Sequence, residues 1–233
     1  MQTWLEWARG PVFWAALTFM VLGLARRVGI TVWEMVRAYR RAGDKDIPAR
    51  QVFAATLKWL VPVDRLSNRP LLSLTTVVFH VSIILVPLFL AGHIALWEPV
   101  LGFGLPALPN ALATALTLAA IVAALALVIQ RIASPFTRTL SRFQDYALPL
   151  VVAVPFASGF LVMHPALNPF SHQAMFLAHV LSANLVLVLV PITKLSHVVL
   201  LPATQLVSEL AWHFPPDAGS KVGVALHKES EPV

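Results

Sequence analysis

Long apolar runs separated by short polar interruptions dominate the chain. Five of them can cross about 30 Å of hydrocarbon as helices: roughly residues 11–36, 71–97, 107–131, 145–163 and 172–201. None alternates with the period of two that a barrel strand needs, and backbone groups in lipid must be satisfied within the segment, so helices are predicted. The fold class expected is all-α integral membrane, a bundle of five transmembrane helices. In the first run Arg26 and Arg27 fall late, where long basic side chains can reach the interface. The fifth run is long for one span, which predicts a tilted helix or one that extends past the bilayer. There is no internal repeat, and no cleavable signal peptide is expected, because the N-terminus opens with Glu6 and Arg9 and not with a basic stretch before a short apolar core.

The polar interruptions are unequal. Arg37, Arg40, Arg41, Lys45, Arg50, Lys58, Arg65 and Arg69 lie between runs one and two. Arg138 and Arg142 follow Arg131 between runs three and four, and Lys221 and Lys228 lie in the tail. Residues 98–106 and 164–171 hold no Lys or Arg, and of the 17 basic residues only Arg9 falls on that other side. The excess of Lys and Arg in cytoplasmic loops predicts an outside N-terminus and a cytoplasmic C-terminus. In the connection 43–70, "QVFAATLKWLV" sets Phe53, Leu57 and Leu60 near one helical face, fit either to lie in the interface or to dock on a partner. Residues 1–214 are expected to form the transmembrane domain, and 215–233, rich in small and polar residues, a mobile cytoplasmic tail.

Composition agrees with this pattern. Of the 233 residues 58% are hydrophobic and only 12% charged, too few charges to coat a soluble domain. The net charge of +6 is spread over loops between apolar runs, which fits membrane orientation and not nucleic acid. The absence of cysteine excludes disulfides, Cys-ligated zinc, iron–sulfur centres and covalent c-type haem in this chain.

Eight histidines are present. His213 and His227 fall in the tail, His164 and His172 at an outer loop, and four fall within spans: His80 and His93 on the second, His179 and His197 on the fifth. The two spans run antiparallel, so depth pairs His80 with His197 near the inner face and His93 with His179 near the outer face. A bis-imidazole pair within a bundle suits the iron of haem b, and the metal offsets the cost of placing a ring nitrogen in hydrocarbon. Zinc fits less well, since two histidines leave it short of ligands and neither span holds a carboxylate. His179 and His197 are 18 residues apart, five turns of an uninterrupted helix. His80 and His93 are 13 apart and would point about 220° away from one another on an ideal helix. Pro87 between them can kink the helix, and Gly92 would let a flat ring approach the backbone. The other readings of these residues are hydrogen-bonded polar core positions in a haem-free membrane anchor, or a proton-coupled transporter. The transporter would be expected to show repeats and acidic partners.

Three stretches carry a resemblance. "PITKLSHVVLLP" at 191–202 is similar to the end of the last span in the gamma (cytochrome b) subunit family of respiratory nitrate reductase. "RIASPFTRTLSRFQDY" at 131–146 resembles the same family's loop between its third and fourth helices, and "HVLSANLVLVLVPITKLSH" keeps its 18-residue ligand interval. "VLGLARRVG" in the first run is a fainter match. The interval between His80 and His93 and the connection 43–70 are longer than in that subunit. These departures point to the broader superfamily, with the membrane cytochromes of heterodisulfide-reductase-like and sulfite-reduction complexes. The resemblance implies a dihaem cytochrome b of the bacterial cytoplasmic membrane, with two haem b, whose irons His80, His93, His179 and His197 would ligate. Lys194 would take the basic position before the last ligand. Quinol would be oxidised near the outer haem, and electrons would leave to iron–sulfur and catalytic subunits docked on the basic segment 37–69 and on residues 203–214. Arg131, Arg138 and Arg142 near the inner face would pair with haem propionates, and His164 and His172 are candidates to accept quinol protons.

Overall fold

The computed structural model describes residues 1–41, 49–60, 69–212 and 218–230. Among these residues there is no strand. Five helical stretches are long and apolar enough to cross a membrane: Gln2–Arg41, Pro70–Phe89, Asn110–Ala133, Phe143–Met163 and His172–Ile192. The chain is thus a multi-pass membrane protein whose spans lie close to the apolar runs of the sequence. Lys45, Arg65 and His213 lie outside the described residues.

In chain order the helices are α1 (Gln2–Trp7), α2 (Phe13–Arg41), α3 (Ala49–Leu60), α4 (Pro70–Phe89), α5 (Ala91–Leu101), α6 (Asn110–Ala133), α7 (Pro135–Leu140), α8 (Phe143–Met163), α9 (His172–Ile192), α10 (His197–Trp212) and α11 (Ala218–Ala225). They fall into two compact units, Met1–Thr18 with Arg65–Leu189, and Phe19–Asp64 with Val190–Val233.

In the first unit α6 packs against both α4 and α8. Its buried residues are small: Ala113, Thr117, Ala120, Ala123 and Ala124. Small side chains at helical spacing let neighbouring helices approach closely, the main source of helix association where lipid is as apolar as the interface. On the opposite side Val122 and Ile129 are 65% and 64% exposed, as lipid-facing positions should be. The N-terminal span contains a π-helical turn at Ala8–Val12, with Pro11 inside it. Proline withholds a backbone donor and disturbs the helical ladder. The Ala8 carbonyl there accepts a 2.9 Å hydrogen bond from Nδ2 of buried Asn184, and the Arg9 guanidinium lies 5.3 Å from the centre of the Phe176 ring.

The loop "SPFTR" has a structural cause. Ser134 is extended and caps α7, its hydroxyl accepting from the Thr137 N–H at 3.4 Å, while Pro135 opens the helix where no amide donor is needed. Asp145 then caps α8 by accepting from the Arg142 N–H at 2.8 Å.

In the second unit Gly23 faces Pro191, and a Cβ at position 23 would lie only 2.5 Å from the proline Cβ. Arg27 donates from Nε to the Pro191 carbonyl at 2.9 Å. It is therefore anchored on the backbone. Helix α3 packs on α10. Phe53 and Leu57 are 64% and 48% exposed, so the apolar face expected on α3 is open at these two positions. The Leu60 side chain lies outside the described ones. The tail expected to be mobile carries α11.

Both histidine-bearing spans are interrupted. The second breaks at Leu90 (φ −70°, ψ 131°), three residues after Pro87, and α5 begins at Ala91. The fifth breaks at extended Thr193 (φ −120°, ψ −173°). A 3-10 turn over Lys194–Ser196 follows, and α10 begins at His197 itself. The single helix expected over 172–201 is thus two, because Pro191 withholds a donor from its last turn and the Thr193 hydroxyl instead accepts from the Leu195 N–H at 3.3 Å. The five-turn phase relation between His179 and His197 does not apply across that break.

Candidate functional site

The break at Leu90 restarts the helical phase, and His93 falls in the first turn of α5. His93 and His179 come together there. Their ring centres are 6.0 Å apart and their planes differ by 7°. His93 Nδ1 lies 3.3 Å from the Val86 carbonyl, and His179 Nδ1 lies 2.8 Å from the Pro155 carbonyl on α8. A carbonyl can only accept, so each Nδ1 carries the proton and each Nε2 keeps its lone pair. Imidazoles that ligate metals are held this way, with the far nitrogen tied to a backbone or carboxylate oxygen.

Distance supports the same chemistry. An imidazole nitrogen sits about 2 Å from a first-row metal, so two rings on opposite sides of one ion have centres about 6 Å apart. Among the described residues no three His, Cys, Asp or Glu side chains gather to hold a bare ion. Two imidazoles suffice only where other ligands already fill the remaining positions, as a porphyrin does for iron. The centre separation of the His93–His179 pair matches that demand.

The other sequence-predicted residues are placed as follows. His80 belongs to the first unit and donates from Nδ1 to the Thr76 carbonyl at 2.8 Å, with the Phe79 ring edge-on at 5.6 Å. His197 belongs to the second unit, is exposed, and donates from Nδ1 to the Lys194 carbonyl at 2.8 Å. His164 donates from Nδ1 to the Phe160 carbonyl at 2.8 Å, and its ring lies over Phe160 at 4.2 Å. His172 is exposed, its ring 6.1 Å from Phe176. Lys194 is exposed. Arg131 bonds the Asp145 carbonyl, which joins the end of α6 to the start of α8, and it lines a cavity of about 280 Å³ with Arg69, Gln130 and Thr137. Arg138 reaches the Ile132 carbonyl at 3.5 Å, and Arg142 serves the α8 cap through its backbone.

Two contributors were not evident from the sequence. One is the Pro155 carbonyl. The other is Gly159, where a Cβ would lie 2.9 Å from His179 Cε1 and 3.0 Å from Nδ1. Their only sequence signal is a proline and a glycine four residues apart in α8.

Comparison with known proteins adds kinship. The chain is 38% identical over 199 residues to a protein of Nitratidesulfovibrio vulgaris (strain Hildenborough), covering 82% of this chain and 85% of the relative. The chain belongs to the same family as that protein. Family membership extends over most of both chains, so it concerns the membrane-spanning body and not an isolated segment. No protein-family model matches the chain, and no solved structure matches it.

Proposed function

We propose that the chain is a dihaem membrane cytochrome b that passes electrons between the quinone pool and a redox partner in the cytoplasm. The observation that carries this is the His93–His179 pair, with parallel rings 6.0 Å apart and both Nδ1 atoms turned to carbonyls. His80 and His197 are assigned to the second haem from the sequence pattern, each with Nδ1 engaged in the same manner. The resemblance to the gamma subunit family of respiratory nitrate reductase and its wider superfamily supports the same assignment. When bound, haem supplies one-electron chemistry, its iron alternating between ferric and ferrous.

The chain's own residues hold the macrocycles, orient the ligand rings and exclude water. Basic residues sorted to one side support an outside N-terminus and a cytoplasmic C-terminus, and the resemblance implies the bacterial cytoplasmic membrane. The chain has no cysteine to hold an iron–sulfur centre, so electrons are handed to a separate iron–sulfur subunit. The exposed Phe53 and Leu57 with nearby Arg50 and Lys58 suit its docking surface. His164 and His172 are the proposed acceptors of quinol protons on the outer side. Lys194 and Arg138 are proposed to pair with propionates at the inner haem. Arg131 and Arg142 are assigned to the connection between α6 and α8.

The test is haem content. The purified chain should carry two non-covalent b haems, both six-coordinate and low-spin, by pyridine haemochrome and EPR. A chain isolated without haem from a haem-replete host would overturn the reading.

A further inference from the structure

His179 takes its orienting hydrogen bond from a different helix. The acceptor, the Pro155 carbonyl, lies within α8, where a carbonyl normally serves the amide four residues later. A helical side chain leans toward the N-terminus and covers the turn before it, so the residue at position 159 is the one that would cover the Pro155 carbonyl. That residue is glycine. A Cβ there would meet His179 Cε1 at 2.9 Å and Nδ1 at 3.0 Å, closer than side chains pack. Gly29 and Gly92, also helical, have nothing within 4 Å of such a Cβ. The gap at Gly159 is thus filled by one particular imidazole.

We propose that Pro155 and Gly159 form a positioning device for the outer ligand: the missing side chain uncovers the carbonyl, and the carbonyl fixes the tautomer and plane of His179. This rests on the haem reading above. A carbonyl on the far nitrogen makes an imidazole a stronger electron donor to its metal. The device therefore holds the outer haem at a lower potential than an unsupported histidine would.

The experiment substitutes Gly159→Ala, with Gly29→Ala as the control. The added methyl displaces the ring and breaks the bond to Pro155. The outer haem is expected to bind about 10- to 100-fold more weakly, the usual effect of losing such a partner. In molecules that retain it, its midpoint potential should rise and its low-spin EPR signal should shift, with the inner haem and the Gly29→Ala protein unchanged. An outer haem of wild-type affinity, potential and EPR signal in Gly159→Ala would overturn the proposal.

A packing role is separated in a His179→Gly background supplied with free imidazole. There the ligand can settle away from the methyl, so adding Gly159→Ala should leave the outer haem spectrum unaltered. If Gly159→Ala still removes the haem or the folded protein in that background, glycine serves helix packing alone and the proposal fails. A wild-type chain without haem would overturn the haem reading and this proposal together.

Discussion

His93 and His179 face one another with ring centres 6.0 Å apart and planes 7° apart, although they are 86 positions apart in the chain. The relation depends on the break at Leu90, which turns His93 into line. Two rings that share one ion should fail together. Replacing either histidine with alanine is expected to remove the same spectral component and to leave about half of the haem bound, since each structural ligand of a two-ligand iron is indispensable. Redox titration followed by optical spectra checks this. Loss of different components in the two variants would contradict a shared site.

Orientation can be read without disturbing the site, because the natural chain offers no cysteine background. Single cysteines placed by Gln2→Cys and Lys228→Cys should react oppositely with an impermeant maleimide. The first should be labelled from outside intact cells, and the second only after the membrane is opened. Labelling of Lys228→Cys in intact cells would reverse the proposed topology and the side on which a partner docks.

Gly23 and Pro191 make a stability prediction in the second unit. A Cβ on residue 23 would sit 2.5 Å from the proline Cβ and 2.9 Å from its Cγ. Neither a proline ring nor a helix backbone yields readily, so Gly23→Ala should destabilise the folded protein by about 1–3 kcal/mol, the usual cost of overpacking. Arg27→Ala should add to the loss by leaving the Pro191 carbonyl without its 2.9 Å donor. Thermal unfolding in detergent, followed by light scattering or proteolysis, measures both. An unchanged midpoint for Gly23→Ala would mean that this contact relaxes freely.

Much of the fold was legible because lipid leaves the chain few options. Apolar length alone located the five spans. Depth matching on antiparallel spans also selected His93 and His179 as partners. What stayed hidden was the local backbone. Pro87 announced a disturbance, but the break itself falls at Leu90, and only its extended backbone turns the phase that an ideal helix would misplace by about 220°. Thr193 gave no such warning, since threonine is admissible in a helix. Its hydroxyl bond to the next turn competes with the helical ladder, and that outcome depends on Pro191 beside it. The Pro155 carbonyl was invisible for a simpler reason: every residue has one, and only packing reveals which is uncovered.

His164 provides the last prediction, which concerns proton release on the proposed outer side. Its Nδ1 proton goes to the Phe160 carbonyl at 2.8 Å, and its ring rests on Phe160 at 4.2 Å, so the ring is held with Nε2 as the open acceptor. His172 lacks such support: it is exposed and 6.1 Å from Phe176, at the first residue of α9. A fixed acceptor should contribute more than a loose one, because proton transfer depends first on geometry. His164→Ala is therefore expected to slow quinol-dependent reduction of the outer haem about 100-fold, near the lower end of what a positioned proton acceptor provides. His172→Ala should have a smaller effect, and both proteins should keep wild-type haem spectra. Stopped-flow reduction by a soluble quinol analogue, with dithionite reduction as the control for haem integrity, separates these outcomes. Equal rates in wild type and His164→Ala would remove His164 from the quinol reaction, and a larger loss in His172→Ala would transfer the role to His172.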